Sequence, residues 1–568
     1  MNKFKYIILV LLGLSFFSCN EREWLKEEPM DFNTPDNSYE TVSNFQQAIN
    51  YLQDLTRAWH FTYSDETGGY QHHLILGSDV FYHGWPNSLD DNLNRYDTYI
   101  IATRNHVAKN WAYFYNIISN ANTILEKLET NASEVTDAQK QTFRGEALFF
   151  RAYYYMRLAH IWGDVPLVLE MQTSPKIDFV RAPRDQVYAQ CQADLEEAVG
   201  LLANIENVDN GAINKQLAQH VLAEVYISRK NFDAAISAAN AVVNHPAVAL
   251  MTERFGSYKD DATKNVFFDL FRQGNQNRTA GNTEGLWVLQ YDYLNPGSAV
   301  TTNWGRYIMP QLRTAQVMGK NGQLVLACPD FTAEDGGRGN GYFPTTHHFR
   351  EEIWASDYDN DIRNAECNIF RDYRIDNENA EGWGQWIVKD GWIRDVDTFN
   401  FVYPAVTKFC AFEAYPDNSY ALANGVRRVT SLGKQMLVNS GTAAVGSFKD
   451  EYRVRLSETY LLLAEAYVGA NQPENAAAAI NVVRSRAKAS PATAAEMNLD
   501  YVLDERIREL AGEEVRNITL FRLGKFVERA KRYNPAGNHV AAHQDLWPIP
   551  FSEIEKNTAA ELTQNPGY

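Results

Sequence analysis

The sequence predicts a mostly α-helical fold, built from helix pairs at both ends of the chain, with an irregular insertion of loops and short strands between them. Three observations lead there. Over about 41–245, apolar residues recur with the 3.6-residue period of amphipathic helices, and the periodic runs are free of proline. From 246 to 449 the chain is rich in Gly, Asn, Asp and Trp and reads as short strands and turns. The helical period then returns over 450–568 and carries a copy of a pattern already met in the first zone.

The elements follow in order. Lys3 and Lys5 precede an apolar run from Tyr6 to Phe17, which has the length of a signal peptide and is too short for a comfortable membrane span. It ends in Phe16-Phe17-Ser18-Cys19, which resembles a bacterial lipobox. Residues 1–18 therefore read as a cleaved signal and Cys19 as the lipidation site. Residues 19–40 read as lipid anchor and polar tether, and 41–568 as a single fold. Helices are predicted near Ser43–Trp59, Thr98–Leu128, Asp137–Trp162, Arg184–Leu202, Lys215–Ser228 and Phe232–Asn244.

The repeat joins the two ends. Leu222-Ala223-Glu224-Val225-Tyr226 matches Leu463-Ala464-Glu465-Ala466-Tyr467, and Asn240 and Asn481 match further on, each before paired valines. A Leu-Ala-x-x-Tyr core followed by an Ala-rich helix is the tetratricopeptide-like helix-pair pattern. Small Ala residues let two helices approach closely. Because one pair cannot bury its own face, several must stack, and the repeats from both ends are expected to meet.

Composition narrows the function. The formal net charge of −18 argues against a general nucleic-acid binder, which needs a basic surface to displace counterions. Aromatics make up 13% of the chain, a weak hint of a stacking surface. Cys191, Cys328, Cys367 and Cys410 fit no zinc spacing and are too sparse for a disulfide framework; buried thiols or one bridge remain open.

Three segments carry a family resemblance. The first runs from Arg144 to Leu158, with Tyr153-Tyr154-Tyr155, and continues into Ile161-Trp162-Gly163-Asp164-Val165-Pro166-Leu167-Val168. The second comprises Arg453–Tyr467, Ile480–Ala487 and Leu503–Leu510 with Gly512-Glu513 and Arg516. The third is the ending, Trp547-Pro548-Ile549-Pro550 through Gln564-Asn565-Pro566-Gly567-Tyr568. In this order, together with the lipobox, they resemble the SusD/RagB-like outer-membrane nutrient-binding lipoproteins of Bacteroidetes. Glu21 and Glu23 after Cys19 look like the surface-export signal of such lipoproteins. The resemblance implies a SusD-like α bundle anchored to the cell outer membrane and exposed at its surface. It also implies a glycan ligand and a SusC-like TonB-dependent transporter as partner. The RagB branch implies peptides or another small nutrient as the alternative ligand. Read physically, these segments are structural. Gly163-Asp164-Val165-Pro166 is a helix stop, and Asp504–Glu509 reads as a helix with i,i+3 and i,i+4 charge pairs.

No catalytic residue, cofactor or metal site is predicted. Gly-x-Ser-x-Gly, phosphate-loop and His-Glu-x-x-His motifs are missing from the sequence, and among 71 Asp and Glu a glycosidase-like pair carries no signal. His72-His73 and His347-His348 are adjacent pairs whose side chains diverge. Asp357-Tyr358-Asp359-Asn360-Asp361 begins like a calcium loop, but Ile362 and Asn368 stand where the loop needs Gly and Glu. Asp361 and Arg363 read instead as a local ion pair. Sugar binding needs flat apolar faces beside planar hydrogen-bonding groups, so loop aromatics are the candidates. They are Trp85 with Tyr82 and Asn87, Trp304 with Arg306 and Tyr307, and Trp383 with Trp386 between flexible glycines. Trp59, Trp111 and Trp162 are expected in the core.

Overall fold

A computed structural model describes residues 38–61, 70–84, 92–292, 304–393, 402–410, 412, 415–438 and 447–568. The leader, Cys19, most of the tether, Trp85 and Asn87 lie outside the described residues.

The first zone supplies α1 (Val42–Phe61), α2 (Asn105–Thr130), α3 (Asp137–Trp162), α4 (Arg184–Leu201), α5 (Lys215–Ser228) and α6 (Phe232–Val243). Side chains fix several of their ends. Thr136 and Gln139 form a reciprocal capping box that starts α3, and Gly163 at φ +74° stops it. Asn214 and Asn231 cap α5 and α6 by accepting from Leu217 N and Ala234 N. One expected boundary fails. The helix predicted from Thr98 starts only at Asn105, after a separate turn at Tyr96–Tyr99. In the gap, the Ala102 carbonyl accepts from Phe551 N in the C-terminal tail, which takes it out of any helical ladder.

α3 is the central element, buried along most of its length. The Tyr153–Tyr155 run faces three ways: Tyr154 donates to Thr56 on α1, Tyr155 donates to the Val168 carbonyl, and the Tyr153 hydroxyl accepts from Arg157 and Arg453.

After the insertion come α7 (Leu456–Gly469), α8 (Pro473–Arg486), α9 (Leu499–Leu510), α10 (Arg516–Leu523) and α11 (Phe526–Tyr533). The helices pack in sequence, α4 on α5 and α5 on α6, and then α6 packs directly on α7 across the insertion. Ala223, Ala239, Ala464 and Ala479 share one buried cluster at this junction, as the repeat predicts. Approach is so close that a Cβ on Gly469 would overlap the Phe232 ring.

The insertion holds no helix longer than five residues among the described residues. Its sheets are two-stranded and antiparallel. The strand β1 (Gly285–Leu289) pairs with β2 (Glu451–Arg455), which leads directly into α7. A buried ionic network fixes the insertion to the helices. Arg455 bridges Glu284 at 2.6 Å, Glu509 at 2.8 Å and Glu513 at 2.6 Å. Arg363 bridges Asp361, Glu505 and Glu509, Arg486 bridges Glu284 and Glu509, and Lys408 bridges Glu513. The Asp361–Arg363 pair expected from sequence is thus present at 2.6 Å, but the charges of Asp504–Glu509 are mostly spent elsewhere. Arg508–Glu505 is a local i,i+3 pair, whereas Glu509 serves three arginines from distant segments. A second hub, Asp79 with Arg516 and Arg529, ties the first zone to the last helices. Cys191, Cys328, Cys367 and Cys410 are all buried free thiols.

Candidate functional site

The predicted ligand residues divide sharply by burial. Trp304, at 1% exposure, lies parallel to His72 at 5.4 Å and edge-on to Phe343 and Phe409. Its indole N–H donates to the Gly512 carbonyl at 2.8 Å. Tyr307, also 1% exposed, stacks on Tyr342, and Tyr82 is 5% exposed with its backbone N–H donating to the Pro344 carbonyl. The expectation of ligand contact is corrected for Trp304, Tyr307 and Tyr82, because these rings have no open face to offer a sugar. Arg306 is half-buried beside them. Trp85 and Asn87 lie outside the described residues.

Trp383 and Trp386 occupy the opposite situation. Trp383 is 46% exposed and Trp386 half-buried. Their loop is shaped by Gly384, whose φ of +78° favours glycine, and its N–H donates to the Ile375 carbonyl at 2.9 Å. Gly382 lies so close to the Trp392 ring that a Cβ would overlap it. Trp392 in turn donates its indole N–H to Gln385 Oε1 at 2.7 Å. The Trp383 indole donates to Ser431 Oγ at 3.0 Å, and Ser431 donates to the buried Asp376. Asp376 also accepts from Thr430 and from Leu432 N, so the loop and the 430–434 turn are held as one rigid piece.

Trp386 carries two cations against its ring: Arg374 Cζ at 4.3 Å and Lys389 Nζ at 4.8 Å from the centroid. Arg374 is oriented by donating to the Gly384 carbonyl at 2.7 Å. This edge opens onto a pocket of about 300 Å³ lined by Trp386, Arg374, Tyr373, Phe370, Glu366 and Lys264 among others. Lys264 and Phe370 also line an adjoining pocket of about 460 Å³, with Tyr258, Phe412 and Arg427. Together they form a groove in which aromatic faces alternate with planar or charged hydrogen-bonding groups. Phe370 and Phe412 lie 5.5 Å apart, and Arg427 sits 3.6 Å over Tyr420 while pairing with Asp417.

Much of the polar lining is already spoken for. Asp372 accepts three backbone N–H groups, from Tyr373, Val388 and Lys389. Lys434 donates to both oxygens of Asp335 at 2.8 Å, and although burial opposes its charge, that carboxylate holds its pKa above the ordinary lysine value. Such groups shape the groove rather than react in it. Sequence reading missed Phe370, Arg374, Phe412 and Arg427, which become neighbours only through the tertiary fold; Trp392, flanked by Gly391, repeats the Gly-Trp signal that marked Trp383.

A larger hollow beside α1, about 1090 Å³, mixes Gln, Asn and Asp side chains with apolar ones such as Leu202, Ile213 and Leu289. Among the described residues, no group of three His, Cys, Asp or Glu side chains is placed to hold a metal ion. No helix there is long and apolar enough to cross a membrane. His72 and His73 are buried among rings, and His348 bonds Glu352 and Asp504.

Comparison with known proteins agrees with this architecture. Residues 283–568 match the model of the SusD family, and residues 26–227 match one described as starch-binding and associating with the outer membrane. Two SusD-like proteins of Formosa agariphila are 23% and 25% identical, over 99% and 100% of each chain. Among solved structures, a laminarin-binding SusD-like protein superposes with TM-score 0.66 at 21% identity, covering 93% of this chain and all of that one. Surface glycan-binding protein A from Bacteroides thetaiotaomicron in complex with laminarihexaose gives TM-score 0.64 at 18% identity, covering 92% and 99%. With the family model spanning half of the sequence and the solved relatives sharing its helical architecture, the chain belongs to the SusD family.

Proposed function

We propose that the protein is a non-catalytic glycan-binding lipoprotein of the outer cell surface, which captures an oligo- or polysaccharide and delivers it to a SusC-like TonB-dependent transporter. The observation that carries the binding half is the rigid ledge of Trp383 and Trp386 at the edge of a groove lined by aromatic faces and hydrogen-bonding groups. Pyranose rings present a C–H face that packs on such rings, and several weak stacking contacts allow release as well as capture. The laminarin and laminarihexaose named for two structural neighbours support a glycan as the ligand class. The anchor rests on Cys19 at the end of the apolar leader, and the transporter partner on the family resemblance.

Affinity electrophoresis of the purified protein through gels containing laminarin, starch and other polysaccharides tests the reading, with Trp383→Ala and Trp386→Ala alongside. Retardation by at least one glycan, weakened about tenfold in Trp386→Ala, is expected from the loss of one stacking face and its cation pair. Retardation unchanged in both variants would place the ligand away from these two rings. Silence across all glycans would turn the reading toward a peptide or small nutrient.

A further inference from the structure

Two side chains that line the hollow beside α1 are not accounted for by the fold. The first is Glu146 on α3, which is 7% exposed yet has no hydrogen-bond or ion-pair partner among the described residues. Burial alone pushes its carboxyl up to about 8, so at neutral pH it is mostly protonated and offers a donor as well as an acceptor. Other buried acids are matched by bases: Asp79 by Arg516, Glu465 by Arg522 and Glu505 by Arg363. An unmatched carboxyl costs more at a buried wall than an apolar side chain of its size. The second is Tyr51 on α1, 47% exposed on the wall of the same hollow.

The walls around them are set by the fold. α1 buries Phe45, Ile49 and Leu52 and turns Gln46, Asn50 and Gln53 toward the hollow. Arg57 pairs with Asp54 and donates to the Gln290 carbonyl at 2.9 Å, which ties α1 to the strand side. Gln290 in turn donates to Asn277 at 2.9 Å. The third wall, 203–213, is pinned where Lys215 N donates to the Ala203 carbonyl and Asn210 donates to Thr279. Gly211 turns it at φ +81°, at a point where a Cβ would meet the Val288 carbonyl.

The lining points to a class of ligand. Amides both donate and accept, as the Glu146 carboxyl does, and a half-exposed ring beside them complements the hydroxyls and C–H face of a sugar. The volume, about 1090 Å³, stands at the upper end of ligand sites. Asp54, Glu146 and Asp209 outnumber Arg57 in the lining, which disfavours an anionic sugar.

We propose that the hollow is a second sugar site, sharing no lining residue with the groove beside Trp386, and that it takes a neutral pyranose unit. Tyr51 supplies its stacking face, and Glu146 and Gln53 supply hydrogen bonds. This inference rests on the glycan-binding reading and adds a second contact to it. Two sites on one chain raise the hold on a long polymer without tightening the hold on any one unit, which keeps release possible.

The test is hydrogen exchange and calorimetry on the purified protein with laminarihexaose, maltohexaose and cellohexaose as probes. At least one hexasaccharide is expected to slow exchange in both 42–57 and 203–213. Tyr51→Ala should abolish that protection and weaken the site about tenfold. Glu146→Met should weaken it equally while melting no lower than the parent, because an unmatched buried carboxyl has been removed. Glu146→Gln, which keeps a donor and an acceptor, should retain most of the binding. A purely structural role for Glu146 would instead lower the melting temperature of Glu146→Met and leave the sugar bound. A hexasaccharide that protects the 382–389 loop but neither wall of the hollow would overturn the second site and leave glycan binding intact. Protection that survives both Tyr51→Ala and Glu146→Met would overturn it as well. Protection of the hollow alone would uphold it and overturn the Trp383–Trp386 ledge, and binding of none of the three sugars would overturn both readings together.

Discussion

Replacing Trp304 separates a ligand contact from a structural plug. The indole is almost fully buried, packed by His72, Phe343 and Phe409, and its N–H is the hydrogen-bond partner of the Gly512 carbonyl, 208 residues away in sequence. Trp304→Ala removes the ring from a site that collapses only partly, which costs about 3–5 kcal/mol. It also leaves the Gly512 carbonyl short of a donor, within the same range. Trp304→Phe keeps most of the apolar packing but loses the N–H and the second ring, for about 1–3 kcal/mol. The ordering Ala worse than Phe worse than Trp should appear in urea midpoints, with affinity for any bound glycan unchanged wherever the variant is still folded. An Ala variant as stable as the parent but stripped of glycan binding would refute the structural assignment and return Trp304 to the binding face.

Two further outcomes concern the ionic core. Glu505 and Glu458 are held down at about 2 despite burial, by Arg363, Arg508 and Arg484 in one case and by Arg506, His220 and Arg453 in the other. Their folded values lie below the unfolded carboxylate value, so their stabilisation is present above about pH 4.5 and is lost as pH falls toward 2. Acid titration followed by circular dichroism should show unfolding steepening across that window; a flat signal down to pH 2 would contradict the network's charge state. Glu509→Gln removes the anion shared by Arg363, Arg455 and Arg486 and should cost about 3–5 kcal/mol in urea unfolding, since the guanidinium groups stay buried. A loss below about 1 kcal/mol would mean that Glu284, Glu505 and Glu513 suffice.

The helical frame was legible because its signals are local and repeated. Leu222–Tyr226 and Leu463–Tyr467 carry the same spacing, and a small residue at a helix interface has one dominant use, close approach. Ala223 and Ala464 duly share a buried cluster, and Gly163 with Pro166 ends α3 where the turn chemistry says it must. The start of α2 was misread for a nonlocal reason: a tail residue, Phe551, takes the carbonyl of Ala102. Asp504–Glu509 shows the same limit. Its i,i+3 and i,i+4 spacing is genuine, but spacing on one helix says nothing of Arg363, Arg455 and Arg486, which the fold brings in from elsewhere.

The site was less legible, because an aromatic beside glycine and a hydrogen-bonding residue is equally apt for a ledge or a plug. Asn303-Trp304-Gly305-Arg306-Tyr307 and Gly382-Trp383-Gly384-Gln385-Trp386 look alike as sequence. Their fates differ because Gly305 lets the Phe409 carbonyl approach, drawing Trp304 inward, while a Cβ on Gly384 would meet open space. The Glu284–Arg455 and Arg363–Glu509 bridges fix the insertion to helices whose packing is settled by small residues and rings, so its loops need not contribute the stability they would otherwise have to supply. A scaffold anchored this way can carry an exposed ring such as Trp383 at its edge without drawing it into the core.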